Sequence, residues 1–136
     1  MKRKEITKIE KLEAWIKELK QASEKKPIVV EGKKDKEALE KLGITGDIYT
    51  IQSLGTLTKV IDNISNHEEV IVLTDLDKKG TLIYEKLKKR LESRGIKVIY
   101  RYRRDLREII RINNIEALYS HIKRLRENLG FETENL

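Results

Sequence analysis

Two hydrophobic periods alternate along the chain. From Lys4 to Ser23, the residues Ile6, Ile9, Leu12, Ile16 and Leu19 recur at spacings of three and four with Lys and Glu between them. That spacing predicts an amphipathic helix, with Trp15 at the edge of its apolar stripe. Glu24-Lys25-Lys26-Pro27 ends it, because the residue before a proline is disfavoured in the α region. Short apolar runs at Ile28–Glu31, Ile48–Ile51, Val70–Leu73 and Ile96–Tyr100 then read as strands. Val70-Ile71-Val72-Leu73 has no polar alternation, as expected of a strand buried on both faces.

Helical spacing returns between the strands. One helix is predicted over Lys34–Leu42, closed by Gly43, and a second carries Leu57, Val60, Ile61 and Ile64. A third spans Lys79–Arg94, with Leu82, Ile83, Leu87 and Leu91 inward and Gly95 as its stop. Thr45-Gly46-Asp47 leads into the second strand, and Gln52-Ser53-Leu54-Gly55 reads as a loop after it. From Arg104 onward, Leu106, Ile109, Ile110, Leu118, Ile122 and Leu125 predict one long helix or two broken at Asn113-Asn114, since short amides favour turns and caps.

The order is therefore α, then βαβαβαβ, then α. Strands alternating with helices imply parallel pairing through right-handed crossovers. The expected fold is α/β: a four-stranded, mainly parallel, Rossmann-like sheet flanked by helices, with extra helices at both ends. The 136 residues read as one domain, with an N-terminal helix over 1–24, a core over 27–100 and a helical extension over 104–130. There is no repeat and no low-complexity segment.

Candidate chemistry sits where two strands end. Glu31-Gly32 follows the first, and Asp75-Leu76-Asp77-Lys78-Lys79-Gly80 follows the third. In a parallel sheet, ligands bind outside the carboxyl ends of the strands. Carboxylates gathered there repel one another, at roughly 4 kcal/mol for a unit-charge pair about 4 Å apart in an effective dielectric near 20. A cation or a proton relieves that repulsion. With no Cys in the chain, the donors are oxygens, which suit Mg²⁺ or Mn²⁺. The two histidines, His67 and His121, lack metal-ligand spacing and read as surface residues. No Gly-x-Gly-x-x-Gly or Walker pattern occurs, which argues against dinucleotide binding and P-loop hydrolysis.

The net charge of +7 is unevenly spread. Arg90, Arg94, Lys97, Arg101, Arg103, Arg104, Arg107 and Arg111 fall in one segment against Glu92, Asp105 and Glu108. Arginine forks match phosphate geometry, so this stretch reads as an electrostatic footprint for nucleic acid, the plainer alternative being a solvated ionic face. No apolar run approaches the roughly 20 residues needed to span a bilayer, and no signal-peptide core follows Met1. No membrane association and a cytoplasmic location are expected.

Taken together, these motifs resemble the Toprim domain shared by topoisomerases, bacterial-type primases, certain nucleases and recombination-repair proteins. Val29-Val30-Glu31-Gly32 matches its glutamate motif and Asp75-Leu76-Asp77-Lys78-Lys79-Gly80 its Asp-x-Asp motif, while Ser53-Leu54-Gly55-Thr56 looks like its small-residue loop. The resemblance covers about Pro27 to Tyr100 and is nearest to the small stand-alone archaeal Toprim proteins. It implies that Glu31 is a general acid or base and that Asp75 and Asp77, with Glu31, hold Mg²⁺ or Mn²⁺. Phosphate or nucleic-acid contacts are expected from Lys33, Lys34, Ser53, Lys78, Lys79, Arg101, Arg103, Arg104 and Arg107. The position two residues after the second Asp is Lys79, where topoisomerases carry an acid. The chain also lacks room for a nucleophilic-tyrosine domain. Both points argue against topoisomerase activity. The expected function is Mg²⁺-dependent phosphodiester hydrolysis or nucleotidyl transfer on RNA or DNA, alone or within a larger nucleic-acid-processing complex. The alternative is a non-catalytic nucleic-acid-binding or scaffold module that keeps the fold.

Overall fold

A computed structural model describes residues 2–130. The elements in chain order are helix α1 (Lys2–Ser23), strand β1 (Ile28–Val30), helix α2 (Lys33–Lys41), strand β2 (Ile48–Thr50) and helices α3 (Ile51–Leu54) and α4 (Leu57–Ile64). Strand β3 (Glu69–Val72), helix α5 (Lys78–Ser93), strand β4 (Lys97–Ile99) and helix α6 (Arg101–Ile109) follow. A 3₁₀ turn (Ile115–Ala117) then leads into helix α7 (Leu118–Asn128). The four strands form one sheet in the order β2-β1-β3-β4, parallel throughout.

Strand alternation divides the core between the two faces of the sheet. Ile28, Val30, Ile71 and Leu73 join a cluster with Leu12 and Leu19 of α1, Leu39 of α2, Leu106 of α6 and Ile122 of α7. Val29, Val70 and Val72 join Val60, Ile61 and Ile64 of α4 and Leu87 and Leu91 of α5 on the other side. Residues one apart on a strand thus serve opposite layers, which is why β1 and the Val70–Val72 part of β3 are apolar without a break.

Several local expectations change. Trp15 is buried rather than marginal, and its indole Nε1–H donates to the Tyr102 carbonyl at 2.9 Å, fastening α1 to α6. Ile6, placed in the predicted stripe, is exposed. Leu82 is 57% exposed, and the inward row of α5 is instead Gly80, Tyr84, Leu87 and Leu91. Leu82 lies two residues, more than half a helical turn, away from Tyr84. The segment after β2 forms the one-turn helix α3 rather than a loop, closed by Gly55 at φ 92°. Helix α6 begins at Arg101, three residues before the predicted start, and so absorbs Arg101–Arg103. The predicted break does fall at Asn113-Asn114, where the Asn114 side chain accepts from the Ala117 N–H at 3.1 Å. His121 is half-buried, not a surface residue, and its Nε2 has no hydrogen-bond partner among the described residues. Burial lowers its pKa first, and the nearby Lys8 and Arg124 charges add to that.

Candidate functional site

The order β2-β1-β3-β4 reverses direction between β1 and β3, so the crevice beyond their carboxyl ends is the topological switch point of the sheet. The register Ile28↔Ile71 and Val29↔Val72 brings the two chain exits side by side. Glu31 leaves β1 there, and its Oε2 accepts from the Asp75 backbone N–H at 2.7 Å. β3 stops at Val72, so strand alternation does not set the direction of the two aspartates. Asp75 lies in the following loop, where its Oδ1 accepts from the Ile115 N–H at 2.9 Å. Asp77 is the N-cap of α5, its Oδ1 accepting from the Gly80 N–H at 2.7 Å.

The loop is clamped from several sides. The Thr74 hydroxyl, fully buried, donates to the Gly80 carbonyl at 2.7 Å, and the Leu76 N–H donates to the Asn113 carbonyl at 2.8 Å. A Cβ at Gly80 would lie 2.0 Å from the Asp75 carbonyl oxygen, so only glycine allows α5 to start this close to the loop. One oxygen each of Glu31, Asp75 and Asp77 is therefore engaged by a backbone N–H. None of the three forms an ion pair among the described residues, and the Asp75 carboxyl also meets the Glu31 side chain in a hydrogen bond that lowers the Asp75 pKa.

These acids border an open cleft of about 500 Å³, together with Asp35, Glu116, Lys33, Lys34 and Lys79. Asp35 is buried in the first turn of α2, where its Oδ2 accepts from the Gly32 N–H at 2.9 Å. Burial raises the Glu31 pKa first; the Asp75 N–H opposes that, the Asp75 and Asp77 charges add to it and the Lys79 charge lowers it. Asp75 is also raised, by burial first and by the Asp77 charge, against the Ile115 N–H. For Asp35, burial and then the charges of Asp75, Glu31 and Glu116 carry the value to about 6, with the Gly32 N–H opposing. The cleft is thus lined by carboxylates that are partly desolvated and mutually repulsive.

Such an oxygen-only donor set suits a hard cation. Among the described residues, however, no three acidic or histidine side chains are arranged to surround one ion. Each of Glu31, Asp75 and Asp77 also serves a backbone N–H of its own. The arrangement fits an ion held by one or two carboxylates, with water and substrate phosphate completing its shell, the usual mode for Mg²⁺.

The predicted basic set divides. Lys33, Lys34 and Lys79 line the cleft, whereas the exposed Ser53 and Lys78 do not, and Gln52 occupies the rim near Ser53. Arg103 is 7% exposed and directs its donors inward, Nε to the Thr74 carbonyl at 3.2 Å and Nη2 to the Asp75 carbonyl at 2.7 Å. Arg107 Nη2 donates to the Leu76 carbonyl at 2.9 Å. These two residues brace the acidic loop from behind and are not part of the cleft. Arg101 turns toward α1, 3.6 Å from Glu18, and Arg104 pairs with Asp105 at 3.0 Å. Sequence reading missed Asp35, Gln52, Asn114 and Glu116. Only Asp35 carried a local signal, an acid three residues after a helix-starting Gly, the pattern of half a capping box. Asn114 and Glu116 reach the cleft through tertiary packing alone.

A parallel sheet with a carboxylate after its first strand and an Asp-x-Asp loop after its third, meeting at the switch point, defines a Rossmann-like domain with an acidic rim. The chain belongs to the Toprim domain family, whose model matches residues 25–100. It is 37% identical to a UPF0292 protein of Methanocaldococcus jannaschii, over 85% of this chain and 92% of that one. A UPF0292 protein of Methanosarcina barkeri is 35% identical over 90% of this chain and 88% of its own, and one of Pyrococcus horikoshii 42% identical over 68% and 71%. A solved structure of a protein from Aquifex aeolicus superposes with a TM-score of 0.67 at 40% identity, covering 76% of this chain and 94% of its own. Family membership supports a nucleic-acid-related function. Among the described residues, no helix is long and apolar enough to cross a membrane.

Proposed function

We propose that this protein acts on RNA or DNA by Mg²⁺-dependent phosphodiester hydrolysis or nucleotidyl transfer at the cleft between β1 and β3. The observation that carries the reading is the contact of Glu31 with the Asp75 backbone. It joins a carboxyl of raised pKa to an Asp-x-Asp loop in an open, lysine-edged cleft. Asp75 and Asp77, with Glu31 beside them, would hold the ion. When bound, it would neutralise charge on the phosphate and favour attack at phosphorus. Glu31, held closer to neutral pH by burial and by the aspartate charges, would take or give the proton on the reacting oxygen. Lys33, Lys34 and Lys79 would meet the non-reacting phosphate oxygens.

One observation favours a second reading, a non-catalytic nucleic-acid-binding module: the acids do not enclose a three-ligand ion site among the described residues. The two readings separate when the purified chain is incubated with single-stranded RNA and DNA, with and without Mg²⁺ or Mn²⁺. Catalysis is expected to appear as metal-dependent cleavage or extension that falls by about 10²- to 10⁴-fold in Glu31→Gln. Binding without turnover, unchanged in that variant, would support the module instead.

A further inference from the structure

A second pocket, of about 220 Å³, lies between α5 and α6 and shares no lining residue with the acidic cleft. Arg103, Arg104 and Arg107 line it against a single carboxylate, Glu85. Nη2 of Arg103 and Nη2 of Arg107 both donate to the Thr81 hydroxyl, at 2.9 and 3.1 Å, so two guanidinium groups converge on one neutral oxygen. Among the described residues, neither of these arginines forms an ion pair. Arg103 stacks over the Tyr84 ring at 5.1 Å and Arg104 over the Tyr100 ring at 5.0 Å, which fixes the planes of both forks.

The forks are not exhausted by these contacts. Nη1 of Arg103, Nη2 of Arg104, and Nε and Nη1 of Arg107 donate to no acceptor among the described residues. Tyr84 also lines this pocket. It is 6% exposed, and its hydroxyl, cut off from solvent, has no hydrogen-bond partner among the described residues. Buried hydroxyls are rarely left without a partner. Arg103 and Arg107 converging without an ion pair, spare N–H donors on all three forks (Arg104 keeping Nη2 beside its Asp105 pair) and an orphaned hydroxyl together describe a receptor for an anion rich in oxygens. A phosphate group matches best, because several acceptor oxygens and about two charges can engage more than one fork. The volume admits a phosphate with part of its ester but not a base pair.

We propose that this pocket is a phosphate-binding site in which Arg104 and Arg107 supply charge, Tyr84 supplies a neutral donor, and Arg103 connects the occupant to the Asp75 loop. Arg103 makes that connection directly, since its Nε and Nη2 already hold the Thr74 and Asp75 carbonyls. The site uses none of the cleft's residues and would stand if the cleft proved catalytically inert. Its test therefore contains EDTA, which removes any divalent ion from the comparison.

Two ligands distinguish the sources of the phosphate. The full chain is melted in rising sodium phosphate against sodium chloride at equal ionic strength, and a short fluorescent single-stranded oligonucleotide is titrated by anisotropy. Both are repeated with Tyr84→Phe, which keeps the ring, and with Arg104→Gln, which changes an exposed side chain. Apparent affinity is expected to fall about tenfold in Arg104→Gln and about threefold in Tyr84→Phe. Loss confined to inorganic phosphate assigns the site to a free phosphate or nucleotide. Loss confined to the oligonucleotide assigns it to a backbone phosphodiester, and loss of both supports the site with either source. Unchanged responses of both variants to both ligands overturn the proposal.

Discussion

The Glu31 carboxylate accepts a hydrogen bond from the Asp75 backbone N–H at 2.7 Å. The residue proposed to move a proton and the loop proposed to hold the ion are therefore one mechanical unit, tied across β1 and β3. Glu31→Gln retains an oxygen that can accept this bond and is expected to change stability by less than about 1 kcal/mol. Glu31→Ala leaves the partly buried N–H without a partner and is expected to cost about 1–3 kcal/mol. Urea denaturation of both variants checks this, and equal losses would deny the contact a structural role.

Cation binding in the cleft would relieve repulsion among its acids. Adding Mg²⁺ at about a hundredfold excess over Kd should stabilise the wild-type chain by roughly 2.7 kcal/mol, which corresponds to a melting-temperature rise of about 9 °C. The double variant Asp75→Asn/Asp77→Asn should lose most of that rise. A flat Mg²⁺ response in the wild type, or the same rise in the double variant, would count against the ion site.

Asp35 gives a pH dependence with a definite sign. Its pKa of about 6 in the fold lies above the ordinary 3.8, so the folded state holds this proton more tightly than the unfolded one. The contribution to stability is fully present below about pH 4 and is lost as the pH rises through about 6. Asp35→Asn keeps an acceptor for the Gly32 N–H and removes the charge. It should stabilise the chain on the order of 2 kcal/mol at neutral pH, with the gap closing below about pH 4. Thermal melts from acid to neutral pH would show this, and a gap independent of pH would contradict it.

Gly80→Ala would drive a Cβ to within 2.0 Å of the Asp75 carbonyl oxygen. Helix α5 would have to move away from the loop, loosening the Asp77 cap and the Thr74 hydrogen bond together. The expected cost is about 2–4 kcal/mol, with Mg²⁺ affinity lost in parallel. Denaturation and metal titration read the two effects separately.

The parts of the fold that were legible in the sequence were those fixed by local pattern. Val70-Ile71-Val72-Leu73 announced a strand covered on both faces, and the Asn pair announced the break before α7. Helix faces were less secure: Leu82 is exposed and Trp15 buried because a stripe read from spacing does not say where neighbouring helices cross. At the site, Glu31, Asp75 and Asp77 were visible because each follows a strand. Their separate backbone partners were not, since Ile115 and Gly80 reach them only after the chain has folded. Arg103 was read as part of a solvent-facing cationic stretch. Its actual partners are the Thr74 and Asp75 carbonyls, and backbone acceptors leave no mark in a sequence.

The indole of Trp15 grips the start of α6, and α6 carries the arginines that brace the carbonyls of the acidic loop. A helix at the beginning of the chain is thus tied, through α6, to the backbone of the loop that carries Asp75 and Asp77. Trimming the protein to the 25–100 stretch common to its family would retain the acids yet discard the struts: Trp15, the α6 arginines and the Ile115 N–H. Wherever such struts are exchanged, the same carboxylates can be re-aimed without altering a single one of them.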